Sequence, residues 1–175
     1  MKDFMELAQS RYSVRKFDKR PIEGEKLEKI LEAGRIAPTA CNYQPQRIYL
    51  LQSEDAMSKI NAVCRCIYGA PTCIVVAYDE NRGAKGTEEL AYEGFNFAEM
   101  DATIVCTHMM LEAWDLGIGS CWVGAFQRKR VHDILGLPAN ETVCALLPIG
   151  YPAEESKPSN NHYSLRDPME TVSIL

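Results

Sequence analysis

The stretch from about Phe95 to Leu116 constrains what this chain can fold into more than any other. Phe97, Met100, Ile104, His108 and Leu111 recur at intervals between three and four, and Val105 and Ala113 widen the stripe they form. A helix that is apolar on more than one side cannot rest on a surface and must be covered from several directions. The spacing therefore predicts a long central helix, ended by Gly117-Ile118-Gly119, where glycine supplies a backbone that other residues resist. With 175 residues in the chain, roughly two-thirds of the unfolded surface can be buried, so such a core needs no staples.

The remaining patterns supply its neighbours. Phe4, Leu7 and Ala8 predict a first helix that delivers Arg11, Ser13 and Arg15 onto a turn or short extension. Leu27, Ile30, Leu31 and Gly34 predict a second helix, stopped by Pro38 and a polar loop from Thr39 to Gln46. Ile48 to Leu51 reads as a strand, and Ser53 can cap a third helix containing Met57, Ile60 and Val63. Pro71 precedes a buried strand, Cys73 to Tyr78, and the polar residues 79–89 predict an exposed loop. Ser120 to Val123 is expected to enter the sheet, followed by a short helix from Lys129 to Leu135 closed by Gly136, and a strand from Val143 to Ile149. Helices and strands interleave without a repeating alternation, which favours an α+β sheet with helices packed on it. Residues 151–175 are rich in Pro, Ser and Asn until the apolar Val172-Ser173-Ile174-Leu175, a tail suited to docking on a neighbouring subunit.

Composition excludes several classes of function. A net charge of -5 and a pI near 5.3 argue against bulk binding of nucleic acid phosphates. Lys2, Asp3 and Glu6 interrupt the start of the chain, which reads as an amphipathic helix rather than a signal peptide. No apolar run approaches membrane-spanning length, so no membrane partner and a cytoplasmic location are expected. The seven cysteines are odd in number and six lie in or beside apolar runs, the pattern of reduced, buried thiols. Cys64-Arg65-Cys66 lacks the two-residue spacer of a thioredoxin or zinc motif, and His108, His132 and His162 are scattered singly, so no metal is expected.

Four segments carry residues suited to chemistry. Arg11-Tyr12-Ser13-Val14-Arg15 sets two guanidinium groups and a hydroxyl within one short stretch, donors that a phosphate monoester requires. In Pro38-Thr39-Ala40-Cys41-Asn42-Tyr43-Gln44-Pro45, two prolines restrain a loop whose Thr, Asn and Gln offer donors and acceptors to a heteroaromatic edge. Gly117-Ile118-Gly119-Ser120-Cys121-Trp122-Val123-Gly124 is not a dinucleotide fingerprint, because Trp122 holds the third glycine position and the segment follows a helix. Its glycines instead permit backbone N–H groups to approach a flat ring. The fourth segment is Leu165-Arg166-Asp167-Pro168 in the tail. Each alone also fits ordinary surface arginines, turns or caps.

Together, in this order and at these separations, the four segments resemble the FMN-dependent nitroreductase family, and its short members in particular. Leu147-Pro148-Ile149-Gly150-Tyr151-Pro152 adds a further match. The resemblance implies a single α+β domain over residues 1–175, with a central mixed sheet flanked by helices. It further implies an intertwined homodimer in which residues 151–175 dock on the partner subunit. Arg11, Ser13 and Arg166 would contact the FMN phosphate region, and Arg15 the N1 and O2 edge of the isoalloxazine. Pro38, Thr39, Asn42 and Gln44 would reach the flavin from the partner subunit. Backbone N–H groups of Val123 and Gly124 would face N5 and O4, with Tyr12, Cys121 and Trp122 in the same cofactor-binding segments.

No side chain is then catalytic, since FMN carries the chemistry. NADH or NADPH would act as a transient donor, and a nitroaromatic, a quinone or a related small molecule would accept electrons in a ping-pong cycle. Val123 and Ser164 depart from the family's common Glu and Lys. The family's remaining pyrimidine-edge partners have no obvious counterpart here, although Arg65 lies in the right region. Two alternatives share the same residues: a non-enzymatic flavin-binding redox sensor using Cys64 and Cys66, and a dehalogenase on the same fold.

Overall fold

A computed structural model describes residues 3–84 and 96–175. Helix α1 spans Phe4–Ser10, with the Asp3 side chain accepting from Met5 N at 2.9 Å as its N-cap. Helix α2 covers Gly24–Arg35, strand β1 Gln46–Leu51, helix α3 Glu54–Val63 and strand β2 Thr72–Asp79. Helix α4, Phe97–Asp115, is followed by the two-residue strand β3, Gly119–Ser120, then helix α5, Arg128–Leu135, and strand β4, Glu141–Gly150. A four-residue helix, α6, closes the series at Pro168–Thr171.

The four strands form one sheet in the order β1-β2-β4-β3, and each neighbouring pair is antiparallel. Among the described residues, the mixed character expected of the sheet is confined to one isolated parallel bridge, Ser13 to Ser120. Strand β2 is buried along its whole length and β4 nearly so, because helices cover both faces of the sheet. One face carries Ile74, Val76, Ala145, Leu147 and Ile149 against Leu27 and Ile30 of α2 and Ala102, Val105 and Met109 of α4. The other carries Cys73, Val75 and Leu146 against Met57 and Ile60 of α3 and Val131 of α5. Continuous Val, Ile and Leu runs are what strands buried on both faces require. The β2 to β4 register slips between Val76 and Ala77, leaving Cys144 of β4 as the extra residue of a bulge.

The central helix forms where expected, but its most buried face is not the expected stripe: Val105 and Ala113 are buried, whereas Met100 is exposed and Phe97, Ile104, His108 and Leu111 are only partly covered. Its Asn96 side chain accepts from Ala98 N at 2.9 Å, and Ala98, Ala102, Val105, Cys106, Met109 and Ala113 are buried. The expected start at Phe95, and the part of the 79–89 loop beyond Ala84, lie outside the described residues. Among the described residues no helix is long and apolar enough to cross a membrane.

Two expectations need correction. Ser120 to Val123 was expected to run into the sheet, but beyond β3 only Val123 pairs, through a bridge to Leu146. The tail is also more regular than its composition indicates. Asn160–Tyr163 forms a 3-10 turn, and Asp167 caps α6 by accepting from Met169 N at 2.8 Å. Proline in the first turn of α6 costs no hydrogen bond, since that N–H would be unpaired anyway.

Candidate active site

The Arg11–Arg15 segment leaves α1 and is held from two sides. Val14 N donates to Ser120 O at 2.9 Å on one side, while Asp18 N donates to Tyr151 O and Ala153 N to Lys16 O on the other, at 2.8 and 3.0 Å. Val14 is fully buried, so its neighbours Ser13 and Arg15 are turned outward at a fixed position. Gly119 makes this packing possible: a Cβ there would come within 2.6 Å of Val14 Cγ2 and 3.1 Å of Pro152 Cγ. Gly119→Ala should cost about 1 to 3 kcal/mol of stability by overpacking, and should weaken anion binding beside Ser13. Gly24→Ala, where a Cβ meets nothing within 4 Å, should leave both unchanged. Urea unfolding and anion titration of the two variants check this contrast.

Behind this segment lies a cavity of about 300 Å³, lined by Arg11, Tyr12, Ser13 and Arg15 together with Ser159, Asn161 and His162 from the 3-10 turn region. The wall contains donors and no carboxylate, which is the composition an anion requires. Arg11 makes no ion pair or side-chain hydrogen bond among the described residues, while Arg15 Nη1 donates to Ser13 O at 3.3 Å. Tyr12 is buried, packs edge-on against Trp114 with centroids 5.2 Å apart, and donates to Ser156 Oγ at 3.2 Å. It thereby ties the start of the tail to α4. A neighbouring cleft of about 390 Å³ shares Ser13, Arg15 and Ser159 and adds Lys16 and Lys157. Its one acid, Glu155, pairs with Lys16 at 3.9 Å.

Arg15 also reaches toward Tyr68, its guanidinium carbon 6.0 Å from the ring centroid. A hydrogen bond with Cys66, reinforced by burial, pushes the Tyr68 phenol above its ordinary range, and Arg15 opposes the shift. Burial likewise pushes the Cys121 thiol up, with Arg15 opposing. Tyr68 and Cys121 thus lie near Arg15, and Cys66 near both of them, whereas Arg65 is exposed. Tyr68 holds a left-handed backbone with φ of 55°, uncommon for a side chain of this size.

The Pro38–Pro45 loop is more unusual. Cys41, Asn42 and Gln44 all adopt left-handed backbone, with φ of 51°, 55° and 50°. Such conformations cost roughly 1 to 2 kcal/mol per non-glycine residue and persist where surrounding contacts impose them. Here Thr39 Oγ1 accepts from Gln44 N at 3.1 Å, and Gln44 Nε2 donates to Asn42 Oδ1 at 2.9 Å. Pro38, Asn42 and Gln44 are exposed and Thr39 is half-buried. Asn42 and Gln44 face Asn81 and Arg82 across a cavity of about 840 Å³. This cavity shares no residue with the one beside Arg11, so within one chain the two sets of expected cofactor contacts stay apart.

The Gly117–Gly124 segment corrects one atomic expectation. Val123 N donates to Leu146 O at 2.9 Å and Cys121 N to Pro148 O at 3.2 Å, so neither N–H is available to a ring. The N–H groups of Trp122 and Gly124 have no acceptor among the described residues. A Cβ at Gly124 would meet the half-exposed Trp122 ring at 2.9 Å, so the glycine lets that ring fold back over the backbone. Arg166 is exposed and lines neither cavity beside Arg11. Three donors that the sequence did not single out, Ser159, Asn161 and His162, stand in the Arg11 cavity instead. A lone histidine in a polar tail carries no local signal of that placement.

The sequence model of the nitroreductase family matches residues 8–68 and 64–151, which together take in both loops and β4. This chain belongs to the nitroreductase family. A nitroreductase family protein of Clostridium difficile 630, known from its crystal structure, is 36% identical; 98% of each chain is covered, with a TM-score of 0.89. An NADH dehydrogenase of Thermus thermophilus is 30% identical over 95% of this chain and 93% of its own length. A crystallised oxidoreductase containing FMN is 25% identical, with 85% of this chain and 77% of that chain covered and a TM-score of 0.70.

Proposed function

We propose that this nitroreductase works in the cytoplasm as a homodimeric, FMN-dependent oxidoreductase. NADH or NADPH is the donor, and a nitroaromatic, a quinone or a related small molecule is the acceptor. The class, an NAD(P)H-dependent flavin enzyme, follows from the family. The observation that carries the reading is the carboxylate-free cavity in which Arg11, Ser13, Arg15, Asn161 and His162 converge. Its donor set fits the phosphate of a mononucleotide, and its size fits a phosphate with part of a ribityl chain.

Bound there, FMN supplies reversible two-electron uptake, so that donor and acceptor use one site in turn. Arg11 and Ser13 hold the phosphate by charge-assisted hydrogen bonds, and Arg166 joins them in the dimer. Arg15, backed by Tyr68 and Cys121, places a fixed positive charge at the pyrimidine edge, where negative charge develops on reduction. Gly124 and Trp122 offer the free backbone N–H groups. Pro38, Thr39, Asn42 and Gln44 act on the partner's flavin, consistent with their separation from Arg11 within one chain. Ser159, Asn161 and His162 line the anion cavity on their own chain, and the exposed residues beyond Ser164 dock on the partner.

Purified protein should be yellow, or take up one FMN per chain on titration, and anaerobic NADH or NADPH should bleach it. Colourless protein that takes up no FMN ends this reading. Binding without bleaching at useful rates would instead favour the purely sensory flavoprotein.

A further inference from the structure

Asp101 of α4 is out of keeping with its surroundings. It is 3% exposed on a helix face shared with the fully buried Ala98, Ala102 and Val105. It has no ion pair among the described residues, its Oδ2 is buried without a hydrogen-bond partner, and burial pushes its carboxyl above the ordinary aspartate range. A buried, half-satisfied carboxylate is expensive, and an apolar residue of similar volume at such a position is often neutral or stabilising. The single bond it makes runs from Ala40 N to Oδ1, at 2.9 Å.

That bond falls where the Pro38–Pro45 loop lacks an internal alternative. Ala40 is the first residue of the 3-10 turn Ala40–Asn42, so its N–H has no acceptor within the turn itself. Thr39 Oγ1 accepts from Gln44 N, and Asp101 supplies the acceptor for Ala40 N from another element, 61 residues away. The residues that follow Ala40 in the loop include the left-handed Cys41, Asn42 and Gln44. We propose that Asp101 is a positioning residue that holds the strained Asn42 and Gln44 loop in its flavin-contacting shape, at the expense of fold stability. The assignment rests on the reading of that loop as a contact to the partner's flavin ring.

The consequence is a rank order that a merely structural residue would not give. Asp101→Leu removes both the buried charge and the acceptor. It should melt at or above the wild-type temperature, yet bind FMN and riboflavin about ten-fold more weakly, and by equal factors because the loop meets the ring and not the phosphate. Asp101→Asn keeps the acceptor and buries an unpaired amide. It should melt lower than wild type and bind both flavins with near wild-type affinity.

Thermal unfolding and fluorescence titration with FMN and riboflavin read the two orders. Should the leucine variant not fold, amide hydrogen exchange in the wild-type protein decides, since the bond requires Ala40 N–H to be protected. A leucine variant that binds flavin as tightly as wild type, an asparagine variant that loses as much as leucine, or an unprotected Ala40 overturns the assignment. Wild-type protein that binds no flavin overturns instead the reading on which it rests.

Discussion

Replacing Arg11 with alanine is expected to weaken FMN binding about ten- to hundred-fold and to leave riboflavin binding unchanged. The two ligands differ by the phosphate alone, so the ratio of their affinities reports the anion cavity and nothing else. Arg11 is half-buried, faces no carboxylate in the cavity wall and has no ion pair among the described residues, so its donors are available at little cost. A hydrogen bond from a charged group to phosphate is worth roughly 1.5 to 3 kcal/mol, which sets the expected range. Arg11→Lys keeps the charge without the planar fork and should fall between. Ser13→Ala should lose less, since it removes one neutral donor. Fluorescence titration with both flavins measures all three variants. If the ratio of FMN to riboflavin affinity stays constant in Arg11→Ala, the phosphate is bound elsewhere.

How far the sequence foretold this site depends on the range over which each signal acts. The existence of helix α4 and of strands β2 and β4 was readable from their own residues, as a three-to-four spacing or a continuous apolar run. A helix apolar on several sides does not show which side is covered: Ala98, Ala102, Cys106 and Met109 are buried, while Met100 of the expected stripe is exposed. Ser53 and Gly136 marked helix ends through local chemistry, a side-chain cap and a left-handed residue with φ of 64°. Strand β3 was read too long, because the alternation of Ser120 to Val123 also suits a segment that leaves the ladder after Ser120 and meets β4 again through a single hydrogen bond at Cys121 and a bridge at Val123. Asp167-Pro168 carried a legible start for α6 that went unread amid polar neighbours.

The site divides the same way. Arg11, Ser13 and Arg15 stand together because they are adjacent in sequence, but Asn161 and His162 join them across about 150 residues of chain, as Tyr12 meets Ser156 across 144. Tyr68 and Cys121 meet Arg15 by similar fold-imposed approaches. Asp101 interrupts an apolar stripe without any nearby residue to explain it. Only the tertiary structure shows that it serves Ala40. The commitment of Val123 N to Leu146 could not have been foreseen either, because a glycine-rich segment looks alike whether its N–H groups face a ligand or a strand.

The tail should decide the assembly. In one chain Met169, Val172 and Ile174 are 85%, 61% and 99% exposed, a concentration of apolar side chains that water does not favour. Scattered apolar residues on a surface need no explanation, but these follow one another along a single segment next to Arg166. Fully burying one such side chain is worth about 1.5 to 3 kcal/mol. With half of that lost to ordering the tail, three of them contribute about 2 to 4 kcal/mol per chain, and twofold symmetry doubles the effect. Met169→Ser/Val172→Ser/Ile174→Ser should therefore raise the dimer dissociation constant by about three orders of magnitude or more. In a monomer the docked Arg166 and the partner's Pro38–Pro45 loop both leave the site, so loss of flavin in this variant reports loss of the contacts that only the dimer supplies. Sedimentation across a range of protein concentrations, read together with the flavin absorbance of each species, should show monomers depleted of FMN. A triple variant that stays dimeric and fully yellow would mean that the subunits meet through another surface, with α6 and the residues after it left in solvent.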